Sequence, residues 1–136
     1  MTEPHGGADP KVFTTRATRD GDEWVIDGYK WFSSNARFAS FLIVMAVSDP
    51  EVSPYEGMSM FLVPTDTPGV KIVRNTGLMG EEDGHGTHAY IHYDHVRVPA
   101  EHLLGRPGCS KATTRAPAPA RATSRWATSW APCRSA

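Results

Sequence analysis

The sequence lacks several features that mark common protein classes. Its 136 residues include only two cysteines, Cys109 and Cys133, so a disulfide framework or a cysteine zinc site is not expected. The longest apolar run, FLIVMAV at residues 41–47, is far too short to cross a bilayer, so no membrane association is expected. The N-terminus has no charged segment followed by an apolar one, so no signal peptide is expected and the predicted location is cytoplasmic.

Strong net charge is also lacking. The formal net charge is −1, so no strong field would recruit nucleic acid or an anionic membrane. The balance hides an asymmetry, because all 15 acidic residues lie before residue 107. Residues 107–136 carry no acid, and their five basic residues are Lys111, Arg115, Arg121, Arg125 and Arg134.

The same C-terminal segment lacks Ile, Leu, Val, Met, Phe and Tyr from Pro107 onward. It cannot bury enough apolar surface to offset its chain entropy. Two interpretations remain: a basic disordered tail, or out-of-frame translation of a GC-rich gene, which the abrupt change after Leu103-Leu104-Gly105 favours. We therefore divide the chain into a folded domain at residues 1–105 and a low-complexity basic tail at 106–136.

Helical periodicity is absent, because no window keeps apolar residues at helical spacing for three turns. Short β-branched and aromatic runs alternate with Gly, Pro and Asp turn signals, and one strand is expected to stop at Gly28. The pattern predicts an all-β domain, a small barrel or sandwich of about seven strands. The strand-forming runs are 12–18, 23–27, 29–34, 41–48, 58–63, 70–73, 87–93 and 96–98.

Three segments, in order, resemble the middle domain of the acyl-CoA dehydrogenase family. MTEPHGGAD at the start is similar to the family's Thr-Glu-Pro-x-x-Gly-Ser-Asp motif. DGDEWVIDGYKWFSSNA resembles its Gly-Asp-x-Tyr-x-Ile/Leu-Asn-Gly-x-Lys-x-Trp/Phe-Ile-Thr/Ser-Asn pattern. VPTDTPGVKIV and HYDHVRVPAEHLLG are similar to its Asp-Thr-Pro-Gly and Phe-Asp-x-Val-x-Val-Pro-x-x-x-Leu-Leu-Gly segments, so the resemblance covers residues 1–105.

The resemblance implies FAD as cofactor and a β domain packed against the flavin ring. Phe32 aligns with the aromatic beside the flavin, Ser34 with the hydroxyl near flavin N5 and O4, and Thr2 with a contact to the pyrimidine edge. The chemistry suits these residues, because a flat π-system packs well on an aromatic ring and a flavin needs donors around N5 and its carbonyls. Without the motifs, core packing of Phe32 on Trp31 and a turn hydroxyl at Ser34 would be the simpler interpretations.

The family's reaction is α,β-dehydrogenation of an acyl-CoA thioester to a trans-enoyl-CoA, with an electron-transfer flavoprotein usually reoxidising the FAD. The family's catalytic glutamate lies in a C-terminal helical domain, so no catalytic residue is assigned in this sequence. The resemblance also implies a homo-oligomeric parent enzyme. Two positions depart from the family pattern near the CoA ester: Ala8 replaces a serine, and the loop after Met79-Gly80 carries Glu81, Glu82 and Asp83.

Four histidines, His85, His88, His92 and His95, lie within eleven residues and raise the question of a metal site. In a strand, His88 and His92 would share a face yet stand about 13 Å apart, too far to bind one ion. A solvated face is therefore favoured and no metal is expected. Paired carboxylates for acid–base work at Glu81-Glu82 are disfavoured too, because neighbours in a Gly-rich loop rarely hold that geometry.

Two hypotheses of different class follow. In the first, the chain is a fragment of an FAD-dependent dehydrogenase, inactive alone and poorly soluble, because Phe32, Phe38 and Phe41 lose the helical domains that would cover them. In the second, it is a self-standing, non-catalytic β binding module whose tail, with Trp126 and Trp130 among arginines, permits weak nucleic-acid binding.

Overall fold

The computed structural model describes residues 1–7, 9–82 and 84–107. Within these ranges every regular element is a strand or a short 3-10 helix, so the all-β prediction is confirmed. The seven strands are β1 (Arg16–Asp20), β2 (Glu23–Ser34), β3 (Phe41–Val47), β4 (Met58–Pro64), β5 (Val70–Thr76), β6 (His88–Pro99) and β7 (Leu103–Leu104). The 3-10 helices are Pro10–Val12, Ala36–Phe38 and Ala100–His102. No helix in the described part of the chain is long and apolar enough to cross a membrane.

The seven strands form one twisted sheet in the order β5-β6-β2-β1-β3-β4-β7. The sheet does not close, because β5 and β7 are edges and do not pair with each other. All neighbours are antiparallel except β1 and β3, which run parallel and meet at Arg16 and Val47. The core includes Ile26, Phe61 and Ile91, which are fully buried.

The predicted alternation in β6 is confirmed. Ala89, Ile91 and Tyr93 are buried, whereas His88 and His92 lie half-buried on the opposite face. This parity follows from the two-residue period of a strand. The exposed apolar residues predicted from the sequence are also found, since Phe38 and Phe41 are 69% and 52% exposed.

Several predicted boundaries are wrong. The strand expected to stop at Gly28 continues to Ser34, and the runs 87–93 and 96–98 form the single strand β6. The strand expected from Val12 begins at Arg16 instead, because Pro10 opens a 3-10 turn in which the Lys11 amide donates to the Asp9 carboxylate. Leu103–Leu104 was not predicted as a strand, but it pairs with Met60 and Phe61.

Candidate functional site

A gap in the middle of the sheet creates the candidate site. β1 pairs with β2 only from Glu23 to Asp27 and touches β3 at one position, Arg16 with Val47. Beyond the start of β1, the second half of β2 and the first half of β3 therefore have no strand between them. A cleft of about 390 Å3 opens there. Its lining combines Phe32, Ser33 and Ser34 of β2 with Met1 and the β3 residues Phe41 to Met45.

A β-bulge brings Phe32 to this cleft. The register between β2 and β6 shifts between Lys30 and Ser33, so β2 holds one extra residue there. Phe32 has φ of 54°, a left-handed backbone conformation that costs a non-glycine residue about 1–3 kcal/mol. Its ring stacks on Trp31 at 5.0 Å with an interplanar angle of 5°, and the side chain stays 38% exposed. Such strain at an exposed ring favours a functional position over ordinary core packing.

Ser34 ends β2 on the face it shares with His88. The two residues are paired in the ladder, and Ser34 Oγ lies 2.9 Å from His88 Nδ1. The Phe32 ring meets His88 edge-on at 6.4 Å. The bulge thus places a flat ring and a hydrogen-bonding hydroxyl next to each other at the cleft.

A backbone hydrogen bond holds Thr2 beside the same bulge. The Trp31 amide donates to the Thr2 carbonyl oxygen at 2.8 Å, one residue before Phe32. The structure thus brings Thr2, Phe32 and Ser34, the three residues selected from the sequence, to one end of β2. Their contact with a cofactor stays a prediction.

A buried ion pair anchors this N-terminal segment, and sequence reasoning missed it. Lys30 Nζ lies 2.7 Å from Glu3 Oε1, and the side chains are only 4% and 0% exposed. The Glu3 carboxylate also accepts from the amides of Thr14 and Thr15, so it replaces the strand partner missing from the gap. The available signal was strand parity, because Lys30 shares the even-numbered positions of the core residues Trp24 and Ile26.

Glu3 and Lys30 each affect the pKa of the other. Burial alone would raise the pKa of Glu3, but hydrogen bonds from Lys30, Thr14 and Thr15 outweigh it and hold that pKa below its usual range. Burial lowers the pKa of Lys30, against the opposing effect of Glu3. The short contact and the lowered carboxyl pKa indicate an ionised pair at neutral pH.

Glu81 and Glu82, in the loop after Thr76, do not line the cleft. The Glu81 carboxylate accepts from the Leu78 amide at 3.3 Å, within its own turn, and Glu82 lies 3.6 Å from His85. Both side chains are exposed. These contacts support the solvated-loop interpretation, whereas Asp83 and Ala8 lie outside the described residues.

A second polar cluster forms where β6 bulges at His95, whose φ is 49°. Atoms that could coordinate a metal ion, one each from Asp27, Asp94 and His95, lie within 4.8 Å of one another. Lys71 Nζ already pairs with Asp94 Oδ2 at 2.7 Å, and this hydrogen bond, with a second from His95, lowers the pKa of Asp94 to about 2. The Asp94 carboxylate is therefore already paired with a protein cation, Lys71.

Comparison with known proteins follows this geometry. A family model described as the acyl-CoA dehydrogenase middle domain matches residues 1–96. The probable acyl-CoA dehydrogenase FadE2 of Mycobacterium tuberculosis is 44% identical over 119 residues, covering 85% of this chain and 29% of that protein. Cyclohex-1-ene-1-carbonyl-CoA dehydrogenase of Geobacter metallireducens is 37% identical over 107 residues, covering 79% and 27%.

Solved structures show the same fold. A glutaryl-CoA dehydrogenase from Mycobacterium smegmatis in complex with FADH2 superposes with a TM-score of 0.62 at 33% identity, covering 79% of this chain and 25% of that one. The chain thus spans less than a third of the length of these relatives.

Proposed function

We propose, because this chain belongs to the acyl-CoA dehydrogenase family through its middle domain, that it supplies the flavin-facing wall of an FAD-dependent enzyme. That enzyme would convert an acyl-CoA thioester to a trans-enoyl-CoA. The observation that carries the proposal is the strained bulge in β2, which brings Phe32 and Ser34 together among the residues that line the cleft. The chain by itself would be inactive.

The residues present fit a flat, hydrogen-bonding ring. Phe32 offers an exposed aromatic surface already held parallel to Trp31, and Ser34 offers a hydroxyl beside it. Thr2 is held against the same bulge, so its polar groups would face the pyrimidine edge. When bound, FAD would supply the hydride acceptor; these side chains would orient it and exclude water from one side.

The catalytic base would come from outside this domain. Among the described residues, no carboxylate lines the cleft. Glu3, two residues after the lining residue Met1, is buried in its pair with Lys30. A carboxylate held by a cation and two amides is a poor proton acceptor.

The partners of the whole enzyme follow from the family. We propose an acyl-CoA thioester as substrate, an electron-transfer flavoprotein as oxidant, a homo-oligomeric parent and a cytoplasmic location. The exposed Phe38 and Phe41 would be covered by other parts of that enzyme. The binding-module alternative depends on the tail, which lies outside the described residues.

A domain graft tests the proposal. Residues 1–105 would replace the matching middle domain of the M. smegmatis glutaryl-CoA dehydrogenase, and bound flavin would be measured by visible absorbance per protomer. We expect the graft to hold FAD and Phe32→Ala to weaken FAD binding about three- to tenfold, the effect of losing one aromatic contact. Tyr55→Ala removes an exposed aromatic that does not line the cleft, so it is the matched control and should not weaken binding.

The graft also has a clear failing result. Helix content and oligomeric state equal to those of the host would show that it assembles. A graft that assembles in this way, yet takes up no FAD when FAD is added, would contradict a flavin-facing role for this domain.

A further inference from the structure

His88 holds a position next to Ser34 that no assigned role explains. The two residues face each other across the β2–β6 ladder, with 2.9 Å between Ser34 Oγ and His88 Nδ1. His88 is half-buried, and the Phe32 ring lies edge-on to it at 6.4 Å. Backbone pairing on one side and an aromatic ring on another restrict where the imidazole can lie.

A serine hydroxyl has a single proton, so its use at the cleft depends on His88. If His88 Nδ1 is bare, the hydroxyl proton is donated to it, and only oxygen lone pairs face the cleft. If Nδ1 carries the proton, it donates to Ser34 Oγ, and the hydroxyl proton is free to donate elsewhere. The imidazole tautomer therefore decides whether Ser34 is a donor or an acceptor toward a bound ring.

We propose that His88 is a positioning residue whose Nδ1–H holds Ser34 Oγ and directs the hydroxyl proton of Ser34 into the cleft. The inference rests on the proposed function, because oxidised flavin presents an acceptor at N5 and needs a donor there. His88 does not itself touch the ring in this arrangement. Its effect on a flavin passes through Ser34.

The first test needs no flavin. In the full 136-residue chain labelled with 15N, long-range 1H–15N correlation reads which imidazole nitrogen is protonated. We expect His88 to carry its proton on Nδ1, and Ser34→Ala to move that proton to Nε2. A bare Nδ1 in the unmodified chain, or a tautomer that Ser34→Ala leaves unchanged, would overturn the proposal.

The second test uses FMN as the probe and compares two matched variants. An asparagine amide reaches roughly the place of the imidazole Nδ1, whereas a glutamine amide extends beyond it. We expect Ser34→Ala and His88→Gln to weaken FMN binding about three- to tenfold, as for one lost hydrogen bond, and His88→Asn to bind within about twofold of the unmodified chain. A purely structural role would make the two His88 variants behave alike.

The outcomes separate the two proposals. If the tautomer is as stated but the unmodified chain does not bind FMN, the isolated domain does not hold a flavin by itself, the orientation of Ser34 by His88 stands, and the flavin wall is tested separately by the domain graft. If FMN binds and His88→Gln binds it as well as the unmodified chain does, His88 does not position Ser34 for the flavin, and the inference is wrong.

Discussion

Lys30→Met should remove a large part of the stability of the isolated domain. Among the described residues, Lys30 is the one side-chain cation paired with Glu3, whose carboxylate is fully buried and also accepts from the amides of Thr14 and Thr15. Breaking a buried pair by removing one partner costs about 3–5 kcal/mol, because an uncompensated charge stays buried. That loss is a large fraction of the free energy of unfolding of a small domain, which is about 5–15 kcal/mol. Urea unfolding followed by far-UV circular dichroism measures it.

The double variant Glu3→Gln with Lys30→Met is the control for this effect. A glutamine oxygen can still accept from the Thr14 and Thr15 amides, and a methionine at position 30 needs no partner. We therefore expect the double variant to regain more than half of the stability that Lys30→Met loses. Equal instability of the single and double variants would show that the charge of Glu3 is not the cause.

The pH dependence of stability provides a second test of the Glu3–Lys30 pair. In the unmodified chain the pKa of Glu3 is lowered, so its contribution to stability is complete above the ordinary carboxyl value and is lost as pH falls through the folded pKa. In Lys30→Met, burial without the cation raises that pKa, so acid protonates the buried carboxylate and removes its penalty. The stability difference between the two proteins should shrink as pH falls from 7 toward 4.

Gly28→Ala should be the second severe substitution, with a loss of about 3 kcal/mol from overpacking and backbone strain together. A Cβ at Gly28 would lie 2.6 Å from the Thr15 Cα and 2.7 Å from Thr15 Oγ1, and φ at Gly28 is +140°. Thr15 cannot give way easily, because it is fully buried and its hydroxyl donates to the Tyr29 carbonyl. β1 would be pushed away from β2 at the edge of the cleft.

Gly21→Ala is the matched control for that prediction. Gly21 has φ of +61°, but nothing lies within 4 Å of the Cβ it would gain. We expect it to lose only about 1 kcal/mol, from the left-handed conformation alone. Similar losses for both alanine variants in urea unfolding would contradict the close approach of β2 to Thr15.

In β6 the sequence predicts the face of each side chain better than the ends of the strand. Alternation in residues 88–93 indicates the buried side of β6 correctly, because the two-residue period is set by the backbone. Gly28 suggests a strand end, since glycine usually marks a turn. In the folded chain it stays within β2, and the absence of a Cβ lets Thr15 approach. Local composition does not distinguish these two uses of glycine.

The candidate site was predictable only in part for a related reason. The family resemblance selected Thr2, Phe32 and Ser34, and the structure brings them to one end of β2. The bulge that turns Phe32 outward depends on pairing with β6, more than fifty residues later in the chain. The Glu3–Lys30 pair spans 27 positions and the Ser34–His88 contact spans 54, so strand parity can indicate that Lys30 is buried, but no local pattern identifies either partner.

The most direct measurement of the central claim is the 15N NMR shift of flavin N5 in the domain graft, reconstituted with N5-labelled FAD. If the β2 bulge forms the flavin wall, Ser34→Ala will move the N5 signal toward that of an N5 with no hydrogen bond, while Tyr55→Ala, at an exposed aromatic outside the cleft, will leave it in place. An N5 shift unchanged by Ser34→Ala, in a graft that holds FAD, would contradict the placement of this hydroxyl at the flavin.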